Sequence, residues 1–262
     1  MAADLSDHAV LVTGGGTGIG RACAARLAAD GAHVTICGRT ESKLQDAVQR
    51  IGRDNVRYIV ADITDEASVE ATVAFASEAT GGLSGCVANA GGGGGLAPTS
   101  KQDTAEFTRV LELNALGTFL CLKHTLPKLV ESGHGSFVGM SSIAGRLVHP
   151  YFGGYGAGKA ALEQLCRVAA DEYGHLNVRV NAIRPGFIAT EIMEGIDRGG
   201  PIYDSYVQNT PMPRLGEPED IAELARFLIG PESSWITGQV IEVDGGHSLR
   251  RGPNFGPFAV QL

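Results

Sequence analysis

The chain has 262 residues, of which 44% are hydrophobic and 6% aromatic, and its formal net charge is −8 at pH 7. This length is ordinary for one α/β domain with a sizeable core, and the acidic charge argues against a nucleic-acid surface or attachment to anionic membranes. No apolar run approaches the roughly 18 residues of a membrane helix and no signal-peptide core is present, so the cytoplasm is the expected location.

Short apolar runs alternate with longer helical patterns along the chain, which predicts right-handed βαβ units in an α/β fold with a doubly wound parallel sheet. The runs predicted as strands are 9–13, 33–37, 56–60, 85–88, 136–140, 178–183 and 240–243. The helical patterns are 18–30, 41–51, 66–79, 104–131, 153–174 and 218–229. No linker or repeat interrupts them, so residues 1–262 are interpreted as a single domain. Segments 91–99, with five consecutive glycines, and 191–213 show no clear pattern.

A glycine-rich turn follows the first predicted strand and precedes the first helix. Its spacing is Gly14-x-x-x-Gly18-x-Gly20, which matches neither the strict GxGxxG fingerprint nor a Walker A sequence. A tight structural turn is one interpretation. Its position between a strand and a helix favours a second, a dinucleotide site where backbone N–H groups receive a pyrophosphate.

The end of the second predicted strand bears on the choice of cofactor. An acidic residue there would bind the ribose hydroxyls of NAD, but the sequence is Cys37-Gly38-Arg39-Thr40. Arg39 is able to donate a bidentate pair of hydrogen bonds to a 2′-phosphate, aided by Thr40 or Ser42. The alternative is an exposed arginine at a helix start. The sequence therefore favours NADP(H) over NAD(H).

Tyr155 and Lys159 are four residues apart on a predicted helix and so share one face. An ammonium beside a phenol favours the phenolate and is expected to lower the tyrosine pKa, which makes a proton donor usable near neutral pH. Ser142 ends a β-branched run and is placed to hydrogen-bond the same oxygen. Taken alone, the Tyr155/Lys159 pair is equally consistent with an ordinary contact at the protein surface. Asn114 stands in mid-helix, where asparagine is locally unfavourable, either as a packing residue or at a functional position.

Neither a disulfide framework nor a metal site is predicted. The five cysteines are widely spaced and mostly lie in apolar runs, which favours buried free thiols. None of the seven histidines stands at a metal or catalytic-triad spacing. His149 could line the pocket, although a surface or core position is favoured.

Segments 13–20, 89–91 and 185–186, with Asn114, Ser142, Tyr155 and Lys159, occur in the order and spacing of the classical short-chain dehydrogenase/reductase family. The resemblance extends from about residue 8 to about residue 247. It implies a single Rossmann-fold domain with a seven-stranded parallel sheet and helices on both faces. It also implies reversible hydride transfer between a nicotinamide and a ketone or secondary alcohol.

The resemblance assigns a role to each motif. Tyr155 would exchange the proton, Lys159 would lower its pKa and bind the nicotinamide ribose, Ser142 would polarise the substrate oxygen, and Asn114 would anchor a proton-relaying water. The cofactor contacts it implies are Gly14, Thr17, Gly18, Ile19, Gly20, Arg39, Thr40, Asp62, Ile63, Asn89, Ala90, Gly91, Tyr155, Lys159, Pro185, Gly186, Ile188 and Thr190. Some NADP-using relatives carry a basic residue where Thr17 stands, and a helix N-cap is the competing role for Asp62.

The resemblance implies that segment 191–213 covers the substrate. Apolar residues there and after the fifth strand suggest a largely apolar pocket, although several of them fit a core position equally well. These residues are Ile192, Met193, Ile196, Tyr203, Tyr206 and Val207, with Ile143, Leu147, Val148, Pro150, Tyr151 and Phe152. Candidate substrates are 3-oxoacyl thioesters, steroid-like or cyclic ketones, and other secondary alcohols.

The predicted assembly is a homotetramer joined through the helices 104–131 and 153–174, as in the family. The tail 247–262 is expected either to pack on a neighbouring subunit or to remain loose. Within the enzyme class, 3-oxoacyl reductase and hydroxysteroid-type dehydrogenase are rival assignments. Outside it, the alternatives are an NADP(H)-sensing regulatory protein and a sugar-nucleotide epimerase. The catalytic set disfavours the sensor, and the chain length disfavours the epimerase.

Overall fold

The computed structural model describes residues 4–191 and 199–250. Seven parallel strands form one sheet in the order β3-β2-β1-β4-β5-β6-β7. They are β1 (Ala9–Thr13), β2 (His33–Gly38), β3 (Val56–Val60), β4 (Gly85–Ala88), β5 (Ser136–Met140), β6 (Arg179–Pro185) and β7 (Val240–Val243). The doubly wound, seven-stranded Rossmann fold expected from the sequence is confirmed. The strand order reverses between β1 and β4, which is where open α/β sheets bind ligands.

Helices cover both faces of this sheet. They are α1 (Gly18–Ala29), α2 (Glu41–Ile51), α3 (Glu66–Ala76), α4 (Thr104–Leu111), α5 (Gly117–Glu131), α6 (Gly153–Tyr173), α7 (Pro201–Asn209) and α8 (Pro218–Ile229). Short 3₁₀ turns span Thr99–Lys101, Ile143–Gly145, Gly174–Leu176, Pro231–Ser233 and His247–Leu249. Residues of α1, α2 and α8 pack into one apolar core, and residues of α3, α5 and α6 pack into a second. All residues of β1, β4 and β5 are buried, because a parallel sheet is covered on both faces.

The structure differs from the sequence-based expectation in several elements, and α3 ends at Ala76 rather than at residue 79. The helix predicted at 104–131 is divided into α4 and α5 by a π-helical turn at Glu112–Leu116. The sixth strand lies at Arg179–Pro185 rather than 178–183. Segment 191–213 contains α7, which begins with a proline at a helix start, a position where the missing N–H costs nothing.

All five cysteines are buried free thiols. Within residues 4–191 and 199–250, no three metal-ligating side chains come together as a candidate metal site. No helix in those ranges is long and apolar enough to cross a membrane.

Candidate active site

A cavity of about 510 Å³ opens at the carboxyl ends of the central strands, at the point where the strand order reverses. The loops that follow the strands line it, so residues far apart in sequence meet there. Predicted site residues in its wall are Gly14, Thr17, Gly18, Ile19, Arg39, Asp62, Ile63, Asn89, Ala90, Gly91, Ser142, Tyr155, Lys159, Pro185, Gly186, Ile188 and Thr190.

Three predicted site residues lie outside this wall. Gly20 packs beneath the glycine-rich turn, where a Cβ would lie 2.2 Å from the Gly14 carbonyl oxygen and 2.5 Å from Asn89 Nδ2. Thr40 is exposed at the N-cap of α2 and makes no side-chain capping bond. Asn114 is fully buried. Gly20 and Asn114 therefore act on the site through the residues that they pack against.

The carboxyl end of β4 holds the glycine-rich turn in place. Asn89 Nδ2 donates to the Thr13 carbonyl at 3.0 Å and to the Gly14 carbonyl at 3.3 Å. The Ala90 N–H donates to the Thr13 hydroxyl at 2.9 Å. Two of the motifs singled out in the sequence thus form one hydrogen-bonded unit across the β1–β4 junction.

The N-terminus of α1 already holds an anion. The Glu191 carboxylate accepts a hydrogen bond from the Gly18 N–H and lies 2.9 Å from Arg21 Nη2. Burial alone would raise the pKa of Glu191, but backbone N–H donors and the Arg21 charge lower it overall. This helix end therefore has the N–H donor and the positive potential that a dinucleotide phosphate requires. Glu191 was not among the predicted site residues.

Arg39 and Asp62 stand at the other end of the cavity. Arg39 is exposed at the end of β2. The Asp62 carboxylate accepts hydrogen bonds from the Thr64 N–H at 2.9 Å and the Thr64 hydroxyl at 2.8 Å. Burial opposes its ionisation, yet these bonds and the nearby Arg39 charge lower the pKa of Asp62. The alternative role of Asp62 as a helix cap is wrong, because Asp65 caps α3.

Tyr155 and Ser142 meet at the cavity wall, where their hydroxyl groups are hydrogen-bonded to each other. Ser142 is fixed by the Ala144 N–H, which donates to its Oγ at 3.2 Å. The ring of Phe152 stacks on Tyr155 with 4.6 Å between centroids. Burial raises the pKa of Tyr155, and the Ser142 bond acts in the opposite direction.

Lys159 is 3% exposed, and its Nζ donates to the Met140 carbonyl at 2.8 Å. Burial lowers the pKa of Lys159 to about 8. Its Nζ lies 5.6 Å from the centroid of the Tyr155 ring. The expected net lowering of the Tyr155 pKa by Lys159 is not found, because desolvation of the phenolate outweighs the opposing contributions.

Asn114 lies in the π-helical turn between α4 and α5. Its Nδ2 donates to the Gly92 and Val110 carbonyls at 2.8 Å each, and its Oδ1 accepts from the Gly92 N–H at 3.2 Å. The side chain that disfavours a regular helix is thus used to clamp the loop after β4. The water-anchoring role that the resemblance implies for Asn114 stays a prediction.

Gly91, the first residue of the five-glycine run, is confined by two of the predicted catalytic residues. A Cβ on Gly91 would lie 2.7 Å from Asn114 Oδ1 and 2.8 Å from Lys159 Nζ. Any side chain there would displace one of the two, so only glycine lets this loop approach Lys159.

The end of the cavity beside Tyr155 is mostly apolar. Of the predicted pocket residues, Ile143 and Phe152 line it, whereas Tyr206 is a core residue whose hydroxyl accepts from the Phe187 N–H at 2.9 Å. Val148 and Pro150 are exposed. The other predicted residues that do not line the cavity are Leu147, Tyr151, Tyr203 and Val207. Ile192, Met193 and Ile196 lie outside the described residues.

Sequence reasoning missed three residues of this end. Leu113, Met140 and Phe187 line the cavity beside the motif residues Asn114, Ser142 and Gly186. Their place next to those motifs was the available signal. His149 also lines it, which is the position that the sequence allowed but did not favour.

Comparison with known proteins gives concordant results. The family profile described as Enoyl-(Acyl carrier protein) reductase matches residues 14–248. A short-chain type dehydrogenase/reductase from Mycobacterium ulcerans is 44% identical, with a TM-score of 0.94, and the match covers 98% of this chain and 94% of that one. Levodione reductase of Leifsonia aquatica is 37% identical over 93% of this chain and 95% of its own length. The 2,5-dichloro-2,5-cyclohexadiene-1,4-diol dehydrogenase of Sphingobium indicum is 35% identical over 93% of this chain and 98% of its own length.

Proposed function

The chain belongs to the classical short-chain dehydrogenase/reductase family, and from that premise we propose that it reduces a cyclic ketone reversibly with NADP(H). It is an oxidoreductase that acts on CH–OH and C=O groups, in a family that uses NAD(P). The observation that carries the proposal is the hydrogen-bonded Ser142–Tyr155 pair beside buried Lys159, in a cavity whose far end carries Arg39.

The chemistry at the reacting end follows from these residues. A bound nicotinamide would supply or accept the hydride. In reduction, Tyr155 donates its proton to the carbonyl oxygen while Ser142 donates a hydrogen bond to the same oxygen. The Lys159 ammonium stabilises the resulting phenolate, and a proton from solvent restores the phenol. Oxidation of the alcohol runs the same steps in reverse.

The preference for NADP(H) rests on charge at the end of β2. Arg39 is exposed there, and the two residues directly after the strand, Arg39 and Thr40, carry no carboxylate, so a 2′-phosphate would gain an ionic hydrogen bond at that position. Asp62 lies nearby but is occupied by two hydrogen bonds from Thr64. The phosphates would lie at the α1 N-terminus, in the place that the Glu191 carboxylate takes.

A compact cyclic ketone fits the reacting end. Apolar side chains from separate parts of the chain line the cavity together with Tyr155, and they are Leu113, Met140, Ile143, Phe152 and Phe187. The diol dehydrogenase of Sphingobium indicum is named for a six-membered ring substrate. A 3-oxoacyl thioester and a steroid-like ketone remain the rival substrate classes.

We also propose that the protein is cytoplasmic and assembles as a homotetramer of single-domain subunits. Support for the tetramer comes from exposed apolar side chains on the helices expected to form its contact. Phe107 on α4, Leu116 in the π-helical turn, Phe119 on α5 and Val168 on α6 are each between 36% and 45% exposed. Exposed apolar residues gathered on neighbouring helices are typical of a subunit interface.

The function is tested by following the oxidation of NADPH and of NADH with three carbonyl compounds. These are a substituted cyclohexanedione, an acetoacetyl thioester and a 3-ketosteroid. Turnover of the cyclic ketone with NADPH is expected. Turnover of only the thioester or the steroid would reassign the substrate class. Tight NADPH binding without turnover of any of them would contradict the enzyme proposal and favour the sensor.

Arg39→Asp tests the cofactor preference. Loss of a hydrogen bond to a charged group costs about 1.5–3 kcal/mol, so kcat/KM for NADPH is expected to fall roughly 10- to 100-fold. The value for NADH should stay level or rise, because the new carboxylate is able to accept from ribose hydroxyls. Arg53→Asp makes the same charge change at an exposed residue outside the cavity wall and is the control. An unchanged NADPH/NADH ratio in Arg39→Asp would refute the role of Arg39.

A further inference from the structure

Three residues of the five-glycine run 91–95 form part of the cavity wall, and they are Gly91, Gly92 and Gly93. None of the five glycines has a φ in the left-handed region, so the backbone there does not itself require glycine. The space at the Cβ position differs along the run. A Cβ on Gly93 would lie 2.6 Å from Phe152 Cζ and 2.8 Å from Phe152 Cε2. Within the described part of the chain, a Cβ on Gly95 would meet no atom within 4 Å.

The glycine run lies against α4 and has little room to retreat from Phe152. Arg109 Nη2 donates to the Gly93 carbonyl at 3.4 Å, and Glu106 Oε1 accepts from the Gly95 N–H at 3.3 Å. These two α4 side chains are themselves paired at 2.7 Å. Between the two bonds, a Cβ on Gly94 would lie only 2.7 Å from Glu106 Oε1. The loop is thus held close to the helix along its length.

The Phe152 ring connects Gly93 to the predicted general acid. Phe152 is the N-cap residue of α6, and its ring stacks on Tyr155 with 4.6 Å between centroids and 26° between planes. The Tyr155 hydroxyl is in turn hydrogen-bonded to Ser142. One aromatic ring therefore contacts both the glycine run and the tyrosine, and a shift of that ring is passed to Tyr155.

We propose that Gly93 is a positioning residue, whose missing side chain allows Phe152 to hold the Tyr155 hydroxyl at Ser142. The inference rests on the proposed function, in which Tyr155 donates the proton to a ketone. An alanine Cβ at 2.6 Å from the ring is roughly 1 Å closer than the usual separation of about 3.5–4.0 Å between carbon atoms. Because the loop lies against α4, the ring gives way and Tyr155 moves with it.

The catalytic test compares Gly93→Ala with Gly95→Ala on whichever carbonyl compound the wild-type enzyme reduces with NADPH. A displacement of about 1 Å at a reacting group costs up to about 100-fold, so kcat of Gly93→Ala is expected to fall roughly 10- to 100-fold. The Kd for NADPH should change little. Gly95→Ala adds the same methyl group to the same run at an open position and should keep kcat close to wild type. Wild-type kcat in Gly93→Ala would overturn the proposal.

A double-mutant cycle tests the route through Phe152. Leucine lacks the Cε and Cζ atoms that face Gly93, so Phe152→Leu removes both the clash and the stacking on Tyr155. Loss of the stacking alone should lower kcat roughly 2- to 10-fold. In that background Gly93→Ala should add less than about twofold, since the two effects share one ring. An equal loss from Gly93→Ala in both backgrounds would refute the positioning role.

Fluorine NMR of the protein labelled with 3-fluorotyrosine separates this inference from the proposed reaction. The chain has six tyrosines, and the resonance that is missing in Tyr155→Phe belongs to Tyr155. Gly93→Ala and Phe152→Leu should each shift this resonance, whereas Gly95→Ala should not; the other five resonances show that the fold is kept. This pattern supports the positioning role even if no ketone is reduced, in which case only the proposed reaction fails. An unshifted Tyr155 resonance in Gly93→Ala overturns the inference.

Discussion

Burial acts in opposite directions on the pKa values of Tyr155 and Lys159, the two groups that we propose manage the proton. It raises the pKa of Tyr155, which becomes charged on losing a proton, and lowers the pKa of Lys159, which becomes neutral on losing one. Spacing along α6 places the two residues on one face, but their protonation depends on how much water the surrounding elements exclude. The Ser142 hydroxyl partly offsets the effect on Tyr155.

Tyr155→Phe removes the hydroxyl and keeps the ring that stacks on Phe152. A positioned general acid contributes roughly 10²- to 10⁴-fold, so kcat for ketone reduction should fall by that factor while the Kd for NADPH changes little. Tyr173→Phe, at the far end of the same helix, is the matched control. Turnover within a few fold of wild type would show that another group supplies the proton.

Lys159→Met is expected to stabilise the protein while removing activity. The pKa of Lys159 is about 8 in the fold, below its ordinary 10.5, so the unfolded chain binds more protons between those pH values. Below pH 8 the buried ammonium costs about 3 kcal/mol, offset by about 1 kcal/mol for its bond to Met140.

The free energy of unfolding in urea tests this balance at pH 7 and pH 9.5. The variant should be more stable by about 2 kcal/mol at the lower pH, and the difference should shrink at the higher pH because wild type regains stability as Lys159 loses its proton. A difference that does not change with pH would contradict the assigned pKa.

At the scale of elements, a buried ion network joins α6 to the strands behind the catalytic group. Glu163 lies one turn after Lys159 and receives bonds from Arg184 Nε at 2.6 Å and from the Ser141 hydroxyl at 2.6 Å. Arg184 also bonds Glu242 on β7 at 2.9 Å. The network thus connects β5, α6, β6 and β7. Since Ser141 directly precedes Ser142, the network also holds the end of β5 that carries the proposed catalytic serine.

Arg184→Met should destabilise the fold, because it leaves the Glu163 carboxylate buried without its cation. Breaking such a pair from one side costs about 3–5 kcal/mol, whereas replacing both partners by apolar residues is close to neutral. Urea unfolding should therefore show that the double variant Glu163→Leu/Arg184→Met regains most of the loss. Arg214→Met, in an exposed pair with Asp220, is expected to cost less than about 1 kcal/mol. A similar small loss in Arg184→Met would show that the buried pair is not coupled.

At the scale of the whole molecule, the proposed catalytic site and the proposed subunit contact use different parts of the fold. The cavity lies at the carboxyl ends of the strands, where the winding direction reverses. The exposed apolar side chains on α4, α5 and α6 lie on the helices that cover one face. These helices also carry Tyr155, Lys159 and the turn with Asn114, so packing between subunits would stabilise the elements that hold the catalytic group.

Phe119→Asp tests the proposed tetramer. A charge on this exposed aromatic residue of α5 would be desolvated in a helix–helix contact, so the mass measured by light scattering should fall from four subunits to two or one. Val60→Asp, at an exposed apolar residue of the edge strand β3, should leave the mass unchanged. A wild-type monomer, or a Phe119→Asp tetramer, would contradict the proposed contact.

The sequence by itself was sufficient for the fold class and the catalytic spacing. Both depend on order along the chain: strand and helix periods repeat locally, and Tyr155 and Lys159 share a helix face whatever surrounds them. The glycine-rich turn was likewise recognisable from its place between a strand and a helix, and Arg39 from its place at a strand end. Strand positions were correct to within two residues, as the shift to Arg179–Pro185 shows.

Only the tertiary structure decided what depends on contacts between distant segments. His149 enters the cavity because the chain after β5 folds back toward α6, and Glu191 reaches the Gly18 N–H from beyond β6. The π-helical turn at Asn114 is stabilised by the hydrogen bond from the Asn114 amide to the Gly92 carbonyl. The pKa of Tyr155 rises because neighbouring elements exclude water from its hydroxyl group. Burial and long-range hydrogen bonds are properties of the packed chain, and local pattern does not contain them.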